Sequence, residues 1–226
     1  MIGRMLGVEG LLLLVPALVS FLYGEQSGIA FLLTAAILLI IFLLAGRKKP
    51  KDTSIYGKEG LALVGIAWIL WSLFGALPFF ISGSIPDYLD AFFETVSGFT
   101  TTGSTILTDI EALPQGMLFW RALTHWIGGM GVLVFLLSLL PLAGGYHMNL
   151  MRAESPGPSV SKLVPKVQST AKILYTIYLG MTVLQIILLL LGGVPVFDSL
   201  CITFGSAGTG GFGIKNDSMA SYSTYC

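Results

Sequence analysis

The chain has 226 residues, of which 54% are hydrophobic and only 11% are charged, and its mean hydropathy is +0.85. Twelve basic residues balance twelve acidic ones, so the charge favours no nucleic-acid partner. This composition excludes an ordinary water-soluble domain and places the chain in the lipid bilayer. The two cysteines lack the spacing of a disulfide framework or a zinc site.

The apolar segments predict an all-α polytopic membrane protein. A helix that crosses a bilayer needs about 20 apolar residues. Five segments approach that length, at approximately 5–23, 28–46, 60–82, 116–140 and 170–192. We interpret the first two as a transmembrane hairpin. A signal peptide at 5–23 is the alternative, but Glu9 and the closely following second segment favour the hairpin.

Charged residues predict the orientation. Ten of the twelve basic residues precede the first span or follow the second or fourth, which indicates a cytoplasmic N-terminus; the exceptions are Arg121 and Lys215. Acids gather on the other side, where they can concentrate cations at a negative mouth and can also be turn and cap residues; the two interpretations are compatible. These acids are Glu25, Asp87, Asp90, Asp109, Glu111, Asp198 and Asp217.

Two shorter apolar stretches, 88–97 and 196–205, belong to an internal repeat. The sequences DAFFETVSGFTTTG at 90–103 and DSLCITFGSAGTGG at 198–211 align without gaps at an offset of 108 residues. The same offset carries the third span onto the fifth. We therefore divide the chain into a hairpin and two units of span, short pore helix, loop and span, the second without its closing span. Their bounds are 1–50, 51–150 and 151–226.

The Thr/Gly loops are predicted to re-enter the membrane from outside. Non-helical backbone is tolerated at that depth only where protein covers it or where it lines a water-filled cavity. Glycine dihedrals turn carbonyls toward one axis, and the helix before each loop directs its partially negative carboxyl end inward. Neutral oxygens without carboxylates suit a monovalent cation. The alternative is an interfacial helix followed by a polar surface loop.

Longer runs resemble a known family. SGFTTTGSTILTDIEALPQGMLFWRALTHWIGGMGVLVF at 97–135 and TGGFGIKNDSM at 209–219 are similar to the first and second pore loops of the TrkH/KtrB potassium-uptake family. The most diagnostic part is FWRALTHWIGGMG at 119–131. With its N-terminal hairpin, the chain resembles the N-terminal half of a TrkH-like member. The resemblance implies potassium transport through a pore built from four such units.

The resemblance also implies specific residues and partners. The potassium filter is assigned to Thr101, Thr102, Gly103, Thr209, Gly210 and Gly211. Glycine at position 103, where related sodium transporters can carry serine, favours potassium. A TrkA-like cytosolic nucleotide-binding ring protein is the implied regulatory partner. We expect a homodimer in the cytoplasmic (inner) membrane, with no cofactor and no enzymatic activity.

Other interpretations stay open at this point. Arg121 either pairs with Glu94 or Asp90 of the pore helix or extends to the headgroups. His125 either joins that network or only packs, and GGMG at 128–131 permits close helix packing. Competing functions are a truncated, non-transporting fragment or assembly subunit and a sodium/potassium conduit of low selectivity. An intramembrane hydrolase using Ser206 or Ser104 with His125 is disfavoured, because the chain contains no G-x-S-x-G motif.

Overall fold

The structure is a computed structural model that describes residues 2–46, 57–131 and 167–222. Within these ranges all regular structure is helical, as predicted. The helices are α1 (Ile2–Leu12), α2 (Leu14–Leu22), α3 (Ser27–Ile41), α4 (Gly57–Ile81), α5 (Tyr88–Phe99), α6 (Gln115–Gly129), α7 (Val167–Leu191) and α8 (Val196–Ala207). A π-helical turn, Phe42–Gly46, extends α3.

Four helical stretches in the described ranges are long and apolar enough to cross a membrane. They are Ile2–Leu22, Ser27–Leu44, Ala62–Ile81 and Ile173–Leu191, and they match the first, second, third and fifth predicted spans. Most of the basic residues used to predict orientation lie outside the described residues. The chain is therefore an integral membrane protein by helix length and composition, whereas its orientation stays a prediction.

The fourth predicted span differs from expectation. Instead of running without interruption over 116–140, the helix ends at Gly129. Gly131 has a φ of 72°, a conformation that favours glycine, and its N–H donates to the Gly128 carbonyl at 2.8 Å. This turn breaks the helix where three glycines supply the backbone freedom. Residues 132–140 lie outside the described part of the chain.

The N-terminal hairpin packs on the rest of the bundle. The first span is interrupted at Leu13, because Pro16 has no N–H to donate to the carbonyl of Leu12. The loop of the hairpin supplies Glu25, whose carboxylate accepts the N–H groups of Gln115 at 2.6 Å and Gly116 at 3.1 Å. A negative charge at the start of α6 stabilises that helix and attaches the hairpin to it.

Two units repeat along the chain, as predicted. Helices α5 and α8 each have 12 residues, and both of their ends differ by the predicted offset of 108. The preceding helices α4 and α7 each have 25 residues. Helix α6 contacts both short helices and also α2. Because α6 has protein on several sides, it can carry polar side chains away from lipid.

Candidate functional site

The two short helices end in loops that contain the six candidate filter residues and lie against each other. A Cβ added at Gly103 would overlap the carbonyl oxygen of Gly210. The structure therefore brings the first loop directly onto the backbone of the second. The other four candidates, which flank this contact and are partly or fully exposed within the described residues, are Thr101, Thr102, Thr209 and Gly211.

Both helices end in the same pattern of hydrogen bonds. At the end of α5, the Thr101 N–H donates to the Gly98 carbonyl at 3.0 Å, and the Thr102 N–H donates to the Ser97 carbonyl at 2.9 Å. The same two bonds, shifted by 108 residues, close α8 at 2.9 and 3.1 Å. This pair of bonds is the Schellman helix end, which requires a left-handed residue just after the helix.

A threonine fills that left-handed position in both loops. Thr101 has a φ of 53° and Thr209 a φ of 59°. Glycine is usual there, and a β-branched residue with positive φ is a genuine outlier. Such strain costs about 1–3 kcal/mol per residue and is typical of functional sites. Two residues later, Gly103 and Gly211 have φ values of 78° and 79°, so both loops share one unusual backbone conformation.

This backbone conformation determines what the loops offer chemically. The sign of φ alternates along Thr101, Thr102 and Gly103. The hydroxyls of Thr100 and Thr102 lie 2.7 Å apart. In the described residues no group of three or more His, Cys, Asp or Glu side chains is placed to hold a metal ion. The polar groups of Thr100 and Thr102 named here are neutral hydroxyls.

Arg121 connects the first pore helix to the second loop. Its Nε donates to Glu94 Oε1 at 2.5 Å, and its Nη1 donates to the Gly213 carbonyl at 2.8 Å. The guanidinium carbon also lies 3.5 Å from the centre of the Phe212 ring. Because Arg121 is only 3% exposed, it does not extend to the headgroups; of the two candidate acids, Glu94 is its partner.

Glu94 extends this network back into the first loop. The Thr105 hydroxyl donates to its two carboxylate oxygens at 2.9 and 3.0 Å, and the Ile106 N–H donates at 3.0 Å. The Glu94 carboxylate is only 1% exposed, and a buried charge is stable only with a charge partner and hydrogen bonds. Arg121, Thr105 and Ile106 supply them. One buried ion pair thus holds α5, α6 and both candidate filter loops together.

His125 packs against the second loop, one turn further along α6. Its ring stacks on Phe212 with a centroid separation of 3.9 Å, and its Nδ1 accepts the Phe212 N–H at 3.3 Å. A Cβ on Gly210 would collide with this ring. The Ser206 hydroxyl donates to the Ile202 carbonyl at 2.9 Å, so it does not form the serine–histidine pair that a hydrolase needs.

Asn216 joins the two loops through exposed hydrogen bonds, a role that the sequence did not indicate. Its Nδ2 donates to Asp109 Oδ1 at 2.8 Å, its Oδ1 accepts the Ile110 N–H at 2.8 Å, and its own N–H donates to Glu111 Oε1 at 3.1 Å. Lys215 lies 3.7 Å from Glu111. Asp109 and Glu111 therefore help to join the two loops, whereas a role in concentrating cations stays a prediction.

Glycines let the helices approach as the GGMG sequence predicted. A Cβ added at Gly128 would overlap the Phe99 carbonyl, and one on Gly129 would lie 2.6 Å from the Cα of Gly208. Gly98 faces the Thr124 hydroxyl in the same way. Side chains at these positions would push α6 away from the two pore helices, so the glycines determine the spacing on which the loop contacts depend.

Comparisons with known proteins agree with this architecture. The family model TrkH, a cation transport protein, matches residues 28–226. The Trk system potassium uptake protein TrkH of Vibrio parahaemolyticus is 34% identical over 228 residues, which are 99% of this chain and 47% of that protein. The Salmonella typhimurium protein of the same name is 37% identical over 211 residues, or 92% of this chain and 44% of that protein.

A solved structure has the same fold. The crystal structure of the potassium transporter TrkH from Vibrio parahaemolyticus matches with a TM-score of 0.80 at 30% identity, covering 99% of this chain and 45% of that one. The chain thus spans about half the length of the curated relatives it matches. Since the family model covers most of the chain, including both loops, the chain belongs to the TrkH family of cation transport proteins.

Proposed function

We propose that this chain serves potassium uptake across the cytoplasmic membrane by lining part of a pore with backbone carbonyl oxygens. The proposed ligands come from the two re-entrant loops: Thr101, Thr102, Gly103, Thr209, Gly210 and Gly211. The observation that carries the proposal is the shared strained backbone of the two loops, with positive φ at equivalent residues and direct contact between Gly103 and Gly210. The names of the curated relatives support potassium as the ion.

The contact between the loops supports selectivity for potassium over sodium. A selectivity filter must replace the hydration shell of one ion with oxygens of suitable number and spacing. Any side chain at Gly103 would displace the Gly210 carbonyl, so glycine keeps one potential ligand of the second loop in place. The buried Arg121–Glu94 pair and Asn216 support the same loops from behind and from outside.

Assembly forms a second part of the proposal. The chain spans about half the length of its curated relatives, so a closed pore needs further units of the same kind. We propose that the protein works as a homodimer in the inner membrane with a TrkA-like nucleotide-binding ring protein on its cytosolic side. The Trk system names of the relatives favour work with other Trk components. Co-purification with such a ring protein tests this part.

The test compares two glycines that have similar backbone conformations but different surroundings. Gly103 and Gly83 both have left-handed backbone, with φ values of 78° and 73°. A Cβ on Gly103 would meet the second loop, whereas no atom of the described residues lies within 4 Å of a Cβ on Gly83. Each is changed to serine in the full protein, and potassium-limited growth of an uptake-deficient cell is measured with and without competing sodium.

Gly103→Ser is expected to weaken discrimination against sodium, whereas Gly83→Ser keeps it. If Gly103→Ser and Gly83→Ser have the same affinity for potassium and the same affinity for sodium, the result would contradict a filter at Gly103. If the unsubstituted protein inserts normally but supports no uptake, the result would favour the interpretation as a non-transporting fragment or assembly subunit. Uptake that sodium inhibits strongly even without substitution would favour the conduit of low selectivity.

A further inference from the structure

An unpartnered carboxyl group lies buried in the N-terminal hairpin, away from the loops. Glu9 on α1 is 0% exposed, and neither of its carboxyl oxygens has a hydrogen-bond partner among the described residues. Ion pairs elsewhere in the described residues join Arg121 to Glu94 and Lys215 to Glu111, so these two acids have a charge partner of their own. An isolated carboxylate in apolar surroundings carries a large desolvation cost, so its burial requires a physical explanation.

The Glu9 carboxyl faces the back of the first pore helix. A Cβ placed on Gly75 of α4 would lie 3.3 Å from Glu9 Oε1, 3.1 Å from Phe99 Cε2 and 2.9 Å from Thr95 Cγ2. Phe99 is the last residue of α5, directly before the loop. Because the carboxyl end of a helix carries partial negative charge, a second negative charge at this place would be repelled.

On the described elements around α1, no side chain donates a hydrogen bond to the Glu9 carboxyl. Helices α2 and α3 and the π-helical turn, which pack against α1, contain no ionisable residue. On α4, Lys58 and Glu59 lie in the first turn, about 25 Å along the helix axis from Gly75. The other ionisable residues of α1, α5 and α6 are Arg4, Tyr88, Asp90, Glu94, Arg121 and His125. None of these six side chains forms a hydrogen bond with the Glu9 carboxyl.

We propose that the Glu9 carboxyl is a proton-binding site of the N-terminal hairpin. In the folded protein one carboxylate oxygen forms an O–H bond with a proton taken from water, and the neutral acid packs against Gly75 and the end of α5. Glutamine would fill the same volume but has no acidic proton to release. The carboxyl group therefore makes the packing of the hairpin on the pore helix dependent on pH.

The proposal gives a definite sign for this dependence. An unfolded glutamate is ionised at neutral pH, so folding takes up a proton and stability falls as pH rises. Glu9→Gln removes the proton uptake. The folding equilibrium constant of this variant should exceed that of the unsubstituted protein. The ratio of the two constants should grow by up to about tenfold per pH unit, as long as Glu9 is protonated in the folded unsubstituted protein.

Two measurements test the proton-binding site without any transport assay. A negative result would therefore contradict the proposal for Glu9 and leave the proposed pore untouched. The unsubstituted protein, Glu9→Gln and the control Glu111→Gln are reconstituted in phosphatidylcholine vesicles. Infrared spectra in D2O are recorded for the carbonyl stretch of a protonated carboxylic acid. Thermal unfolding of the same three proteins is followed from neutral to alkaline pH. Glu111 is a suitable control because its side chain is 44% exposed and because glutamine keeps an oxygen that can accept the Asn216 N–H.

We expect Glu9→Gln alone to lose the protonated-acid band and to melt at a higher temperature, with a gap that widens as pH rises. The control should keep the band and follow the unsubstituted protein. If the Glu9→Gln spectrum retains the band, or if this variant melts lower with a gap independent of pH, Glu9 is ionised in the folded protein and the proposal is wrong.

Discussion

Breaking the buried ion pair between Arg121 and Glu94 should be the most damaging change in the described bundle that alters a single charge. In Arg121→Gln the Glu94 carboxylate, which is 1% exposed, keeps the bonds from Thr105 and Ile106 but loses its ion pair with Arg121. Leaving one buried charge uncompensated costs about 3–5 kcal/mol. The same variant loses the bond to the Gly213 carbonyl, so the second loop is released as well.

A double-mutant cycle separates the pair from the surrounding packing. Glu94→Gln leaves Arg121 buried with the Gly213 carbonyl and the Phe212 ring, so it should cost nearly as much as Arg121→Gln. The double variant buries two neutral amides and should cost far less than the two single costs together. We expect a coupling of about 3 kcal/mol, at the upper end of measured contacts.

The assay is reversible unfolding in mixed micelles, with a matched cycle on Lys215 and Glu111. That pair is 3.7 Å apart and its side chains are 36% and 44% exposed, so solvent screening should reduce its coupling to about 0–1 kcal/mol. If the effects of the Arg121 and Glu94 substitutions add to within about 0.5 kcal/mol, the two groups do not act as a pair and the proposed loop support is refuted.

Three further predictions concern the loops. Gly211→Ala should cost about 1–2 kcal/mol from left-handed backbone alone, because no described atom lies within 4 Å of a Cβ at this position. Gly103→Ala should cost more, because its Cβ would also displace the carbonyl of Gly210. Equal melting temperatures of these two variants would contradict that ranking. Thr101→Gly should raise the melting temperature, because relief of about 1–3 kcal/mol of strain exceeds the entropic cost of glycine, about 0.5–1 kcal/mol; a lower value would show that the threonine is not strained. In a cysteine-free background, a single cysteine at Lys215 should react with an impermeant reagent from outside and one at Lys49, which lies outside the described residues, should not; the reverse pattern would invert the topology.

The sequence by itself determined the membrane class, four of the spans and the repeated unit. Lipid imposes its requirement locally, because about 20 consecutive apolar residues must satisfy their own backbone hydrogen bonds. The repeat was equally accessible, since a fixed offset of 108 residues needs no knowledge of contacts. It placed α5 and α8 at equivalent positions, but the left-handed backbone of Thr101 and Thr209 was seen only in the structure.

Only the tertiary structure decided which groups meet. Asp90 and Glu94 lie one turn apart on the same helix, and the packing of α5 against α6 selects Glu94 as the partner of Arg121. Asn216 likewise gained its role only when the second loop was placed beside the first. Hydropathy and spacing describe one segment at a time, whereas hydrogen bonds and ion pairs depend on distances of a few ångströms between segments far apart in sequence, which only the packed helices define.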